Sequence, residues 1–403
     1  MTHVIVIGAG QAGAACVARL RSKGFDGQIT LIGAEPHLPY QRPPLSKAYL
    51  LGDMPLERLY LRPEKFYSDN DITLRLGARV SEIDREAQTV TVDGETLSYD
   101  HLVFTTGSKP RRLPASIGGD LDGVFVVRGL SDVDAMAPRF EEGRKVLIVG
   151  GGYIGLEAAA VAAKRKLEVT LVETAERILG RVAARETADH FRQLHSENGV
   201  TLMEGTALSR LIGEDGRVTQ AELSDGTRID VDFVIVGVGI TPETDLAEAA
   251  GLGIDNGIAT DSFGRSSDPH IWAAGDCASF PHKGGRLRLE SVGNAIDQAE
   301  AVADNILGAE TPYEAKPWFW SDQYDAKLQI AGLGSGHDRV VTRSGPGTGR
   351  SFWYYRGERL IAVDAIDDPR AYMVGKRLIE AGKSPEPSLI SDPAQDLKLL
   401  LKA

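Results

Sequence analysis

Two glycine-rich segments of this 403-residue chain have the residue types and spacing to hold phosphate: Gly8-x-Gly10-x-x-Gly13 and Gly150-x-Gly152-x-x-Gly155. In each, the first glycine permits a tight turn and the second lets backbone N–H groups approach a pyrophosphate. The third lets a helix pack close to a strand. One such loop serves one dinucleotide, so two imply two nucleotides on one chain. Two redox nucleotides in turn imply electrons passing between them. An acid follows each loop, Glu35 and Glu173, at about the 20-residue distance where a carboxylate holds a ribose hydroxyl pair. At Glu173 it would also repel a 2′-phosphate, which favours NAD over NADP; Arg177 and Arg181 lie close downstream and leave that preference incomplete.

These loops work only if strands and helices aim them. Residues 4–7 and 146–149 are apolar runs that read as buried strands entering the loops, and 14–20 and 156–161 read as the helices leaving them. Residues 29–32 and 169–172 are the second strands, which carry the chain to the two acids. The 140-residue repeat looks like a duplicated fold. Residues 89–92 and the Asp93-Gly94 turn read as a hairpin within 79–103, and 217–236 repeats the theme about Asp225-Gly226. Each half closes on an apolar strand ending in glycine, at 102–107 and 233–239. Pro110, Pro114 and Thr241-Pro242 mark boundaries. A further strand ends in Gly275-Asp276, and a helix is expected over 294–307. From Trp318 aromatic strands (318–320, 352–355, 360–363) precede a helix over 370–381. The expected fold is α/β: two Rossmann-like nucleotide-binding domains, one discontinuous (1–108 with 242–316) and one over 109–241, plus a small α+β C-terminal domain over 317–403.

Composition narrows the function further. Hydrophobic residues make up 42% and charged residues 25%, as in an ordinary globular protein, and the net charge of −12 argues against nucleic-acid binding. Cys16 and Cys277, the two cysteines, form no C-x-x-C pair, and the eight histidines show no metal-ligand spacing. The start of the chain does not read as a signal peptide, and no apolar run reaches the ~18 residues of a membrane helix. A cytoplasmic protein with no metal and no membrane contact is expected.

The segments 39–47 (PYQRPPLSK), 271–277, 290–292 and 318–323 (WFWSDQ), together with the two fingerprints, resemble the FAD-dependent, NADH-using ferredoxin reductases of the glutathione-reductase structural class. This group includes putidaredoxin reductase and the ferredoxin reductases of biphenyl-type dioxygenases, and the resemblance spans essentially the whole chain. It implies FAD on the first fingerprint, with Gly8, Gly10, Ala12, Gly13 and Ala14 at the pyrophosphate and Glu35 at the ribose. It further implies Arg42 and Lys47 along the flavin, Val80 at the adenine, Arg128 near the phosphates, Asp276 at the ribityl chain and Val292 at the ring edge. NADH would be lined by Gly150, Gly152, Tyr153, Ile154, Gly155, Glu157 and Glu173, and Trp320 would stack near flavin and nicotinamide. Relatives with thiol chemistry carry cysteine beside the flavin; the segment 42–47 here has none, and Cys277 reads as structural.

Hydride transfer from NADH to flavin needs no acid–base pair, because the cofactors carry the chemistry. Lys47, Glu157 and Trp320 are the expected catalytic residues. Lys47 would stabilise an anionic reduced flavin and pair with Glu157 across the two nucleotide domains. The implied acceptor is an acidic two-iron ferredoxin that feeds a mono- or dioxygenase. A chain of net charge −12 would then need local cations for docking, and Arg286, Arg288, Lys316, Lys327, Lys398 and Lys402 are the candidates. Reduction of rubredoxin or of a small molecule shares every nucleotide motif, and a flavin-bound sensor of the apoptosis-inducing-factor type is a third reading. A monomer or weak dimer is expected.

Overall fold

A computed structural model describes residues 1–402. The chain divides into two compact units: Met1–Gln41, Leu56–Lys109 and Ile240–Pro317 form one, and Arg42–Pro55, Pro110–Gly239 and the chain from Trp318 onward form the other.

The first unit is built on a five-stranded parallel sheet in the order Ile271–Ala273, His101–Phe104, His3–Ile7, Gln28–Gly33, Ile72–Leu76. Its central strands are continuous apolar runs because both faces are covered. Val4 and Val6 pack toward the helices Gln11–Ser22 and Val292–Ile306. Ile5 and Ile7 point the other way, onto a three-stranded meander through Val80, Val90 and Val92, as the two-residue period of a strand requires. Asp93 and Gly94 close the expected hairpin between Thr89–Val92 and Glu95–Ser98. Both have positive φ (50° and 83°), the two-residue turn whose twist matches that of the strands.

The second unit repeats the plan. Its parallel sheet runs Thr201–Glu204, Glu168–Glu173, Lys145–Val149, Phe233–Val236, Val124–Val126. In both sheets the fingerprint strand lies between the acid-bearing strand and a strand from much later in the chain. The order reverses beside the glycine loop, at the switch point where α/β sheets bind ligands. The expected helices follow the loops, as Gln11–Ser22 and Tyr153–Lys164.

From Trp318 the chain forms a five-stranded antiparallel sheet ordered Trp318–Gln323, Ala326–Gly332, Arg359–Ile366, Arg350–Arg356, Arg339–Ser344. The helix Pro369–Glu380 covers it through Val374 and Leu378 over Trp353, Tyr355 and Val363. Asp368 caps that helix by accepting from the Ala371 N–H at 2.9 Å. The aromatic segments are strands, as expected. Ala326–Gly332, Arg339–Ser344 and the helix Arg185–Glu197 were not anticipated.

Candidate functional site

The glycines of each loop divide their work as the spacing predicts. Gly8 has φ +116°, and a Cβ there would lie 2.2 Å from the Thr105 carbonyl oxygen; one on Gly13 would lie 2.0 Å from the Gly8 oxygen. Gly10 differs, since a Cβ there would meet nothing within 4 Å. The second loop matches it. Gly150 has φ +108°, with its Cβ position 2.4 Å from the Gly237 oxygen, that of Gly155 is 2.1 Å from the Gly150 oxygen, and Gly152 faces open space. The middle glycine of each loop therefore has room for a ligand, while the outer two are closed by backbone. Gly10 and Gly152 are also the N-caps of their helices. Neither helix start has a capping side chain or an acid in its first turn, so the N–H groups there suit an anion. These residues fit dinucleotide pyrophosphates.

Hydrogen bonds fix both acids. Glu35 accepts the Tyr40 hydroxyl at 2.5 Å. Glu173 accepts the Gly151 N–H at 2.7 Å on one carboxylate oxygen and the Ala175 N–H at 2.8 Å on the other, so the carboxylate is fixed beside the loop with acceptor capacity left over. Arg177, weighed above as a 2′-phosphate ligand, has its guanidinium committed to loop carbonyls, Ala183 at 2.8 Å and Ile178, Gly180 and Ala184 at 3.4 Å. Ile154 stands 45% exposed at the start of its helix. Tyr153 packs its ring 4.9 Å from that of Phe319, and its hydroxyl is buried with no hydrogen-bond partner.

The remaining residues fall in several places. Ala12 and Ala14 are buried in the first turn after the loop, and Val80 lies in the apolar core of the first unit. Asp276 sits in a short 3-10 turn and accepts the Ser108 hydroxyl at 3.0 Å. Val292 begins the helix Val292–Ile306 behind the N-cap Ser291. Arg42 donates to the Arg128 carbonyl at 2.7 Å, which brings two expected flavin-site residues together. Trp320 stacks on Trp318 with ring centroids 5.4 Å apart and planes 20° apart.

The expected ion pair forms: Lys47 Nζ lies 2.9 Å from Glu157 Oε1. Both residues belong to the same compact unit. Glu157 is 4% exposed, and a buried carboxylate needs every available donor. It receives Ser46 Oγ–H on Oε2 and Ser321 Oγ–H on Oε1, each at 2.7 Å. Neither serine was expected here. Beyond them Gln323 contacts Ser321 at 3.2 Å, His195 Nε2 contacts Gln323 Oε1 at 2.8 Å, and the Tyr324 hydroxyl contacts His195 Nδ1 at 3.2 Å. Burial lowers the His195 pKa and keeps the ring neutral. No spacing in the sequence signals this cluster, whose members come from four separate segments.

One docking expectation fails. Arg288 is 10% exposed in its side chain and pairs with Glu290 at 2.7 Å; Arg286 donates to the Thr260 and Ser279 carbonyls. Both brace their own loop, and Arg288 is not free for a partner, whereas Arg286 remains exposed. Lys316, Lys327, Lys398 and Lys402 are exposed. Cys16 and Cys277 are free thiols, fully buried, and burial pushes the Cys16 thiol up to about 12. Among the described residues no cluster could hold a metal, and no helix is long and apolar enough to cross a membrane.

Residues 2–299 match the pyridine nucleotide-disulphide oxidoreductase model, and 318–401 match the reductase C-terminal model. A ferredoxin–NAD(P)(+) reductase of Sphingomonas sp is 45% identical over 98% of this chain and 97% of that protein. The ferredoxin–NAD(+) reductase component of the anthranilate 1,2-dioxygenase system of Burkholderia cepacia is 38% identical over 98% of each. The crystal structure of the covalent putidaredoxin reductase–putidaredoxin complex superposes with a TM-score of 0.96 at 39% identity, covering 100% of this chain and 98% of that one. With two glycine loops of dinucleotide-binding spacing, a buried Lys47–Glu157 pair and both cysteine thiols buried, the chain belongs to the pyridine nucleotide-disulphide oxidoreductase family, as one of its ferredoxin–NAD(P)(+) reductases.

Proposed function

We propose that this reductase takes its electrons from NADH and hands them singly, by way of FAD, to a two-iron ferredoxin that feeds a mono- or dioxygenase. The observation that carries the choice of donor is the fixed Glu173 carboxylate beside a loop whose nearby arginine, Arg177, is already spent on carbonyls. A ribose diol suits that carboxylate, and a 2′-phosphate would meet its charge with only the exposed Arg181 downstream to offset it.

In this reading residues 1–108 and 242–316 bind FAD, 109–241 bind NADH, and 317–403 form the C-terminal domain. FAD, when bound, supplies the chemistry that turns a two-electron donor into two one-electron deliveries. Gly8, Gly10, Ala12, Gly13 and Ala14 cradle its pyrophosphate and Glu35 its ribose, while Arg42, Val80, Arg128, Asp276 and Val292 line the rest. Gly150, Gly152, Tyr153, Ile154, Gly155 and Glu173 bind NADH. Lys47, held by Glu157, places a cation where negative charge develops on reduction, and Trp320 supplies an aromatic face. Arg286 and the exposed lysines 316, 327, 398 and 402 are the available cations for an acidic partner. The protein acts in the cytoplasm as a monomer or weak dimer.

The test is anaerobic stopped-flow mixing of the FAD-loaded protein with NADH or NADPH, then with a two-iron ferredoxin. Bleaching by NADH at low concentration and rapid ferredoxin reduction that weakens with salt are expected. Equal use of NADPH would overturn the donor assignment, and reduction of rubredoxin in place of ferredoxin would overturn the acceptor.

A further inference from the structure

The Glu157 carboxylate is the end of a hydrogen-bond chain whose direction can be worked out one proton at a time. Lys47 lies 2.9 Å away, so Glu157 is an anion and accepts at both oxygens. Ser321 has one hydroxyl proton and spends it on Glu157 Oε1 at 2.7 Å. Its oxygen can then only accept, so the contact with Gln323 is an N–H donated by the amide. That orients the amide and leaves Gln323 Oε1 as the acceptor facing His195, so His195 carries its proton on Nε2. His195 Nδ1 is then a bare lone pair, and the Tyr324 hydroxyl donates to it. One buried charge thus sets four groups in series, each donating toward the carboxylate. Ser321, Gln323 and His195 are completely buried, so no water competes for these bonds.

The backbone gives a second sign of constraint. Tyr324 and Asp325 form the two-residue turn between Trp318–Gln323 and Ala326–Gly332, and Tyr324 has φ +54°. A tyrosine in the left-handed region is strained, and such strain persists where surrounding contacts over-determine it. Here the Tyr324 ring meets the His195 ring edge-on at 5.1 Å, and Lys164 donates to the Tyr324 carbonyl at 3.2 Å. Lys164 and Glu157 stand on the same helix, Tyr153–Lys164.

We propose that Ser321, Gln323 and His195 are positioning residues for the reductive reaction: their aligned dipoles hold the Glu157 side chain in one rotamer, and Glu157 in turn holds the Lys47 ammonium in place. The chain does not conduct protons. An amide in its middle would have to pass through its imidic tautomer to hand one on. Its effect is electrostatic, because hydrogen bonds in series polarise one another in a dry interior. The proposal rests on the functional reading above for the statement that Lys47 faces the flavin.

The test uses the FAD-loaded full chain and two variants. Gln323→Met keeps the volume and breaks the series; Ser321→Ala removes a single oxygen atom and serves if Gln323→Met does not fold. Three quantities are read: the limiting rate of flavin reduction by NADH, the NADH dissociation constant, and the flavin midpoint potential by anaerobic titration. The tautomer of His195 is read independently by 15N NMR, where wild type shows the Nε2–H form. Ser321→Ala loses one bond to a buried charge, about 1.5–3 kcal/mol, which predicts a fall in the limiting rate of roughly 10- to 100-fold; Gln323→Met keeps that bond and loses only the neutral one behind it, which predicts roughly 2- to 10-fold. The dissociation constant stays within about threefold by the same conversion, and the potential becomes more negative. Repeated in a Lys47→Met background, neither substitution changes rate or potential further, because the chain acts through that ammonium. Equal rates and potentials in the variants, or the same loss with and without Lys47, would overturn the proposal. A wild-type protein that NADH does not bleach would instead overturn the functional reading.

Discussion

The contrast between Gly152 and Gly155 puts the second nucleotide site to a direct test. Each gains one methyl group on substitution by alanine, yet the structure assigns them opposite consequences. At Gly155 the new Cβ would lie 2.1 Å from the Gly150 oxygen, well inside an ordinary contact distance, and the obstacle is backbone in a turn whose own φ is +108°. The strand and helix must part by more than an ångström, and overpacking of that kind costs about 3 kcal/mol or more. At Gly152 the Cβ would meet nothing within 4 Å, and the backbone (φ −80°, ψ 178°) is extended and open to any residue. The cost to stability is that of a poorer N-cap, at most about 1 kcal/mol. The methyl does stand where a pyrophosphate must approach. Losing one charge-assisted bond there is worth about 1.5–3 kcal/mol, so NADH should bind roughly 10- to 100-fold more weakly. Urea unfolding followed by circular dichroism reads the first quantity, and NADH titration of the FAD-loaded protein reads the second. Gly155→Ala should lose stability; Gly152→Ala should lose NADH affinity and keep its stability and yellow colour. If both variants unfold alike, or Gly152→Ala binds NADH as wild type does, the division of labour among the glycines is wrong.

Glu173→Ala should weaken NADH by roughly tenfold through loss of its bonds to the ribose and narrow the preference over NADPH; unchanged NADH affinity in steady-state kinetics would refute the assignment. Burial raises the Asp364 carboxyl from 3.8 to about 6, although Tyr354 and Thr187 both donate to it. Between those values the native state holds a proton that the unfolded state has lost, so stability should fall as pH rises from about 4 to 6 and level off above. Asp364→Asn should flatten that segment of the urea midpoint–pH curve, and an unchanged slope would count against it. Cys16 and Cys277 are fully buried with raised pKa values, so neither should react with Ellman's reagent until the chain unfolds; rapid labelling of the native protein would contradict their structural role.

The parts of this fold that were legible in the sequence are those whose physics is local. Buried parallel strands announce themselves as apolar runs because both faces are covered, the glycine spacing specifies its own turns, and Asp93-Gly94 marks a hairpin. The helix Arg185–Glu197 was not legible because two of its four buried residues, Thr187 and His195, are polar; the apolar stripe is broken where the helix joins hydrogen-bond networks. Strands Ala326–Gly332 and Arg339–Ser344 lack the aromatic residues that betrayed their neighbours, and Arg343 is buried by donating to carbonyls around Ile390 and Asp392. The Lys47–Glu157 pair was reached through family resemblance, since 110 residues separate the two. The place of Arg288 was not legible because charge in a sequence suggests surface, whereas Glu290, two residues on, pairs with it and draws it into its own loop.

The strand Trp318–Gln323 has a consequence for building hybrids of such enzymes. Its even positions carry Trp318 and Trp320 and its odd positions carry Ser321 and Gln323, which reach Glu157 and His195 in the segment Pro110–Gly239. A C-terminal module grafted from another reductase would therefore bring its own pair of odd-position side chains to a carboxylate and an imidazole it did not evolve with. The junction at residue 317 looks convenient on a linear map, but the functional seam lies elsewhere. Chimeras should tolerate exchange of this module only when positions 157, 195, 321 and 323 travel together.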